Sequence, residues 1–385
     1  MASVPKSPFG LGLAHGAAGA EFVGTPRVIA HLKGRGTASN PEGRFESTRR
    51  EAFDDGWERD EDASKPATEV TVERAKSIIA RNDSPDIPFE QSINPYRGCE
   101  HGCVYCYARP THAYLNLGPG LDFETKLFAK ANAAELLRRE LGRPGYEARP
   151  INLGAATDPY QPIERRQRIT REVIEVLAAC DHPLTIVTKG ALVERDLDLL
   201  APMAAKNLVH VFVSVTTLDN GLAARLEPRA TAPHRRVEAI RRVAAAGVPV
   251  GVFVAPVIPR VTDQDLEEIL EVCRDAGATR ASYTVVRLPH VVKDLFREWL
   301  AAHLPERQHH VMSLIQQMRG GADNDPRFGT RMRGEGVFAE ILKRRFDVAV
   351  KRLDYLPRGT LALDTSLFRH PDAPPPQGDL FGESA

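Results

Sequence analysis

From Pro150 onward, short runs of aliphatic and β-branched residues alternate with longer stretches of helical period. INLGAAT (Ile151 to Thr157), LTIVTKG (Leu184 to Gly190), VHVFVSVTT (Val209 to Thr217), VPVGVFVAPV (Val248 to Val257) and TRASYTVVR (Thr279 to Arg287) read as strands. Between them, ITREVIEVLAAC, APHRRVEAIRRVAAAG and TDQDLEEILEVCRDAG space apolar residues three and four apart, as amphipathic helices do. Near-continuous apolar strands, each followed by such a helix, predict a parallel sheet covered by helices with right-handed crossovers. With FEQSINPYRG as the first strand and Ala131 to Leu141 as its helix, the chain holds about six βα units, and the expected fold is α/β, a partial (β/α)6 TIM-like barrel.

That core is expected over residues 89–303. Residues 1–88, rich in Gly, Arg, Asp, Glu and Ser, read as an extended N-terminal arm with little core of its own. Residues 304–368 read as a C-terminal helical extension, and 369–385, RHPDAPPPQGDLFGESA, as a disordered tail.

Composition narrows the function classes. With 385 residues, 42% hydrophobic and 26% charged, the chain can bury a sizeable core. Lys+Arg and Asp+Glu balance at 51 each, so no global charge draws it to nucleic acid or an anionic membrane, and any basic surface must be local. No run of about 18 apolar residues is present to cross a bilayer, and no membrane partner is expected. Pro, Gly and His interrupt the first residues, so no signal peptide is expected either. Three of the five cysteines crowd into one loop, a poor disulfide framework but a good metal site in a reducing compartment, and the expected location is cytoplasmic.

The loop is RGCEHGCVYCYARPTH, Arg97 to His112, directly after the first expected strand. In such folds the carboxyl ends of the strands converge on the active site. Cys99, Cys103 and Cys106 can hold three irons of a cubane iron–sulfur cluster, leaving the fourth open to a chelating small molecule. Two other readings stand beside it: a zinc site with His101 as fourth ligand, which would strain so short a loop, and a structural cluster with a distant fourth cysteine. Cys180 and Cys273 lie near the ends of expected helices and read as small core residues.

The CxxxCxΦC spacing with Tyr105 at the aromatic position resembles the radical S-adenosylmethionine (SAM) superfamily, over roughly Phe89 to His303. GCxHGCxYCYAR more narrowly resembles the branch of spore photoproduct lyase and its bacterial relatives labelled DNA repair photolyases. The resemblance implies a lyase-like enzyme with a 4Fe–4S cluster, SAM on the open iron, a 5′-deoxyadenosyl radical after reduction, and an external electron donor such as flavodoxin or ferredoxin. It assigns Lys189 to the cofactor carboxylate and Ser214 to its ribose. Tyr105, Thr157, Asp158, Glu227 and Arg229 are further cofactor-site candidates, and Val254 to Val257 offer a surface to the adenine. Tyr283 and Arg287 are candidates for the catalytic, substrate-facing role, while His112 and Tyr114 follow the loop and can shield it. Each has a plainer alternative: an N-cap for Asp158, a surface salt bridge for Glu227 and Arg229, a buried tyrosine for Tyr283. Where spore photoproduct lyase carries a hydrogen-returning cysteine, LGAATDP has only Ala155 and Ala156, so repair of that lesion is not expected.

The expected substrate is nucleic acid, in DNA repair or RNA modification, with a peptide or small metabolite as the alternative and a noncatalytic Cys3His or iron–sulfur binding module as the third. RFGTRMRGEGVFAEILKRRFDVAVKRL interleaves basic residues with Phe328, Phe338 and Phe346, a pattern that suits phosphates and bases. The helical period of Phe338, Ile341 and Leu342 favours a helix capping the barrel instead. In the tail, Gln377, Leu380 and Phe381 of QGDLF resemble the peptide that docks bacterial repair proteins on the DNA sliding clamp, making that clamp an expected partner.

Overall fold

The structure, a computed structural model, describes residues 34–45, 67–357 and 362–371, all within the unit His31–Ala385. Strands form where β-branched residues run together, and helices where an apolar stripe recurs. The strands are β1 (Glu69–Glu73), β2 (Ile79–Arg81), β3 (Gln91–Ile93), β4 (Tyr96–Arg97), β5 (Lys126–Lys130), β6 (Ile151–Leu153), β7 (Leu184–Thr188), β8 (Val209–Ser214), β9 (Val250–Val257) and β10 (Arg280–Val285). The helices up to the last strand are α1 (Leu121–Thr125), α2 (Ala133–Leu141), α3 (Glu164–Gln167), α4 (Ile169–Ala179), α5 (Leu197–Ala205), α6 (Asn220–Leu226), α7 (Pro233–Ala245) and α8 (Leu266–Asp275). Three more follow: α9 (Val292–His303), α10 (Gln308–Gln317) and α11 (Gly336–Arg352).

The main sheet has seven strands in the order β10-β9-β8-β7-β6-β3-β2. From β3 to β10 every neighbouring pair is parallel, while β2 joins β3 antiparallel at one edge. β2 and β10 are not paired with each other, so the expected partial barrel is an open curved sheet among the described residues. Side chains alternate across it: Val209, Val211 and Val213 of β8 are buried, while Phe212 is half-buried on the other face.

One expected strand is two. FEQSINPYRG contains Asn94-Pro95, and a proline has no N–H to continue a ladder. β3 therefore stays in the main sheet, and β4 turns away to pair with β5 in a second, three-stranded sheet, β1-β5-β4. The cysteine loop leaves from this second sheet. The α11 segment packs as a helix: Leu342, Phe346 and Ala349 are buried, and Arg345 pairs with Glu267 of α8 at 2.5 Å. Cys180 and Cys273 lie in the core, 4% and 0% exposed. No helix among the described residues is long and apolar enough to cross a membrane. Gln377, Leu380 and Phe381 fall outside the described residues.

Candidate active site

The cysteine loop is a chain of turns. The carbonyl of Cys99 accepts from the Gly102 N–H at 3.4 Å, that of Cys103 from Cys106 at 3.2 Å, and that of Cys106 from Arg109 at 3.2 Å. The three thiols are free, Cys99 and Cys103 buried and Cys106 half-buried. Burial, the largest influence, pushes all three pKa values up; Asp158 and the other two thiols add to it at Cys99, and Glu227 at Cys103. Such thiols become thiolates when a metal cation holds them, and a set of three sulfurs favours a soft centre. Among the described residues no three His, Cys, Asp or Glu side chains gather closely enough for one ion. Sulfurs that serve separate irons of a cluster need no such convergence, so the donor set fits an iron–sulfur group. The same lack of convergence weighs against a Cys3His zinc site, and His101 Nδ1 faces the Asp158 carboxylate at 3.3 Å.

Two carboxylates, the half-buried Asp158 and the buried Glu227, organise the strand ends around this loop. Asp158, after β6, accepts from the Lys189 N–H at 2.7 Å, the Thr188 hydroxyl at 2.7 Å and the Tyr160 N–H at 2.8 Å, besides facing His101. Burial alone would raise its pKa, but His101 and these donors hold it below the usual value. Asp158 thus ties the end of β7 to the loop. Its neighbour Thr157 donates to the Gly98 carbonyl at 2.6 Å, and Gln161 bonds Thr157 at 2.9 Å and receives the Glu100 N–H at 2.7 Å.

Glu227, after α6, is the second. It receives the Tyr105 hydroxyl and an Arg236 N–H in short bonds, the Thr216 hydroxyl at 2.6 Å, and faces Lys189 Nζ at 3.2 Å. Burial opposes its ionisation, yet Arg236 and Lys189 hold its carboxyl well below the usual range. Lys189 Nζ also donates to Thr216 at 3.1 Å and to the Ala255 carbonyl at 3.0 Å, and lies 5.9 Å from the Tyr105 ring. Tyr105, Lys189 and Glu227 therefore meet beside Cys103, with β9 supplying the Ala255 carbonyl. Ser214 ends β8 nearby, its carbonyl bonded to Arg236 at 3.1 Å. Arg229 lies on another side of the loop, paired with Glu100 at 2.7 Å and donating its N–H to the His101 carbonyl at 3.2 Å.

The two substrate-facing candidates part company. On β10, half-buried Arg280, Ser282 and Thr284 alternate with buried Ala281, Tyr283 and Val285. Tyr283 lies in the core behind the sheet, its ring 4.7 Å from Phe346 of α11. Arg287, beyond the strand end, lies over the Tyr107 ring at 5.7 Å, next to Cys106. His112 is buried under the loop and bonds the Lys126 carbonyl at 2.9 Å; Tyr114 is exposed beside Arg44 and Phe45.

Thr216, Arg236, Arg109 and Glu124 also hold the site and were not among the expected residues. A signal existed for Arg236: it falls on the apolar stripe of α7 with Pro233, Val237, Ile240 and Val243, where a charge requires a buried partner.

The profile of the Radical SAM superfamily matches residues 93–273. An uncharacterized protein of Mycobacterium tuberculosis is 41% identical over 242 residues, 62% of this chain and 71% of that protein. An uncharacterized protein of Methanocaldococcus jannaschii is 27% identical over 195 residues, 51% of this chain and 70% of that one. Among solved structures, a variant of spore photoproduct lyase matches 74% of this chain and 79% of its own at a TM-score of 0.54 and 18% identity, a likeness of fold. Another variant, with bound AdoMet and dinucleoside spore photoproduct, matches at 0.53 with 19% identity over 74% and 78%.

Proposed function

The chain belongs to the radical SAM superfamily, which implies an iron–sulfur cluster and SAM, and from that premise we propose that it is an enzyme acting on nucleic acid, in DNA repair or RNA modification. Cys99, Cys103 and Cys106 are the ligands of a 4Fe–4S cluster. When bound and reduced, the cluster and SAM supply a 5′-deoxyadenosyl radical that takes hydrogen from an unactivated carbon. Lys189, whose three N–H donors go to Glu227, Thr216 and Ala255, would exchange one of these partners for the SAM carboxylate. Tyr105, fixed by Glu227, backs the loop and keeps water from that side. Asp158 holds Lys189 and His101 in register instead of meeting the cofactor itself.

The observation that carries the nucleic-acid reading is Arg287. Among the described residues no carboxylate pairs with it; its Nη1 meets only the Met332 sulfur at 3.6 Å, and its buried Nε has no partner. It lies on the face of Tyr107, a ring 51% exposed beside the cysteine loop. Asp86, the acidic group that acts on Arg287, pairs with Arg331, and a cation left over an exposed aromatic suits a phosphate and a stacked base. The same loop carries His290, 3.0 Å from Arg44, which lies against the exposed rings of Phe45 and Tyr114, at 4.7 and 5.3 Å. The two aromatic–cation steps flank the loop.

The test incubates reconstituted, reduced protein and SAM anaerobically with single-stranded DNA, RNA or a peptide mixture and measures 5′-deoxyadenosine. Nucleic acid should raise its formation, and Arg287→Ala should lower that stimulation at least about tenfold, a loss of about 1.4 kcal/mol. Stimulation by peptides alone would replace this reading with peptide modification.

A further inference from the structure

A short segment far from the cysteines in sequence lies against the back of their loop. The N–H groups of Gly36 and Thr37 donate to the Glu124 carboxylate at 2.9 and 3.1 Å, and the Thr37 hydroxyl adds a third bond at 2.8 Å. Arg35 donates to the Glu124 carbonyl at 3.0 Å. Glu124 is fully buried, and its remaining partner is the equally buried Arg109, at 3.0 Å. Arg109 passes the contact on: it donates to the carbonyls of Gly102 at 3.1 Å and Cys103 at 2.9 Å, within the cysteine loop. There is also direct contact, because a Cβ on Gly36 would stand 1.6 Å from the Gly102 carbonyl oxygen. Only hydrogen fits there.

We propose that Arg35, Gly36 and Thr37 form a latch that sets the backbone of the cysteine loop through Glu124 and Arg109, and thereby governs how firmly the loop retains its iron. These are positioning residues. The strand ends hold the front of the loop through Gln161, Thr157 and Glu227, whereas its back is held by Arg109, and Arg109 is oriented by a carboxylate that the latch supplies with three of its donors. A loop held in shape before the metal arrives does not lose conformational entropy on binding it; a released loop does. The inference rests on the reading of Cys99, Cys103 and Cys106 as iron ligands.

The experiment uses the full chain, reconstituted anaerobically, and follows iron loss to a chelator by the visible absorption of the protein. Amide hydrogen exchange across residues 99–109 is measured in parallel on the cluster-free protein. Gly36→Val should release iron about tenfold faster, equivalent to about 1.4 kcal/mol, and should expose the loop amides to faster exchange. Thr37→Val should fall between it and the wild type, while Thr37→Ser, which keeps the hydroxyl, should match the wild type. If Gly36→Val fails to fold, the Thr37 pair decides. Iron release and loop exchange unchanged in Gly36→Val, or in Thr37→Val, would overturn the latch. Should the wild type take up no iron, the ligand reading fails, and loop exchange alone decides the latch.

Discussion

Arg109 and Arg287 stand on two sides of one loop and differ in almost every physical respect. Arg109 is fully buried, and its five N–H donors are all used, on the carbonyls of Gly102, Cys103, Pro119 and Gly120 and on Glu124. Arg287 has a sulfur and an aromatic face, and among the described residues no carboxylate pairs with it. The back of the loop is saturated, and the front is left with unsatisfied polar capacity. A protein stabilises itself by the first arrangement and keeps the second for a ligand, since an unpaired cation adds nothing to the folded state.

The strongest way to break this contrast is to remove each arginine in turn. Arg109→Ala leaves the Glu124 charge buried beside unsatisfied carbonyls and should cost about 3–5 kcal/mol in urea unfolding of the cluster-free protein. Arg287→Ala should change stability by no more than about 0.5 kcal/mol. Similar costs for the two would erase the distinction between back and front.

Lys189 sharpens it. Its partners are shared, because Glu227 keeps Arg236, Tyr105 and Thr216 when the ammonium is gone. Lys189→Ala should therefore load iron normally yet bind SAM at least about tenfold more weakly by equilibrium titration, a loss of about 1.4 kcal/mol. Unchanged affinity would take Lys189 out of the site.

The smallest effect concerns pH at the back of the loop. His112 Nε2 lies 2.9 Å from the Lys126 carbonyl and so carries the proton, while its buried Nδ1 has no hydrogen-bond partner among the described residues. Burial lowers its pKa. The unfolded chain takes up a proton below about pH 6.5, the folded one resists it, and stability must fall as pH drops through that value. The melting temperature of the cluster-free protein should fall by roughly 2–4 °C more between about pH 7 and about pH 5.5 than in His112→Phe. Equal slopes would assign the acid response to other groups.

How much of this could be read beforehand depended on whether the residues announce themselves locally. VHVFVS became β8 and ITREVIEVLAA became α4 because apolar runs and stripes are properties of the segment itself. EVTVE and KLFAK, now β1 and β5, are short and half polar, and their parallel pairing joins residues far apart in the chain, which no local pattern encodes. The same holds for GRGT, an irregular polar stretch that is ordered by Glu124 across the chain. The cysteine spacing stands out within one loop and Lys189 was assigned by resemblance; the structure places Lys189 beside Glu227 and the Tyr105 ring. Alternation along β10 puts Tyr283 on the face packed against Phe346, and whether a strand residue faces the mouth or the helices depends on register that the short run TRASYTVVR leaves open.

We propose that Cys99, Cys103 and Cys106 jointly hold one cluster at the meeting point of these two surfaces. Iron and acid-labile sulfide, measured per chain after anaerobic reconstitution, test it most directly in the wild type, in Cys103→Ala and in Cys273→Ala. About four of each are expected in the wild type and in Cys273→Ala, and a collapse of both in Cys103→Ala. Full loading of Cys103→Ala would contradict it.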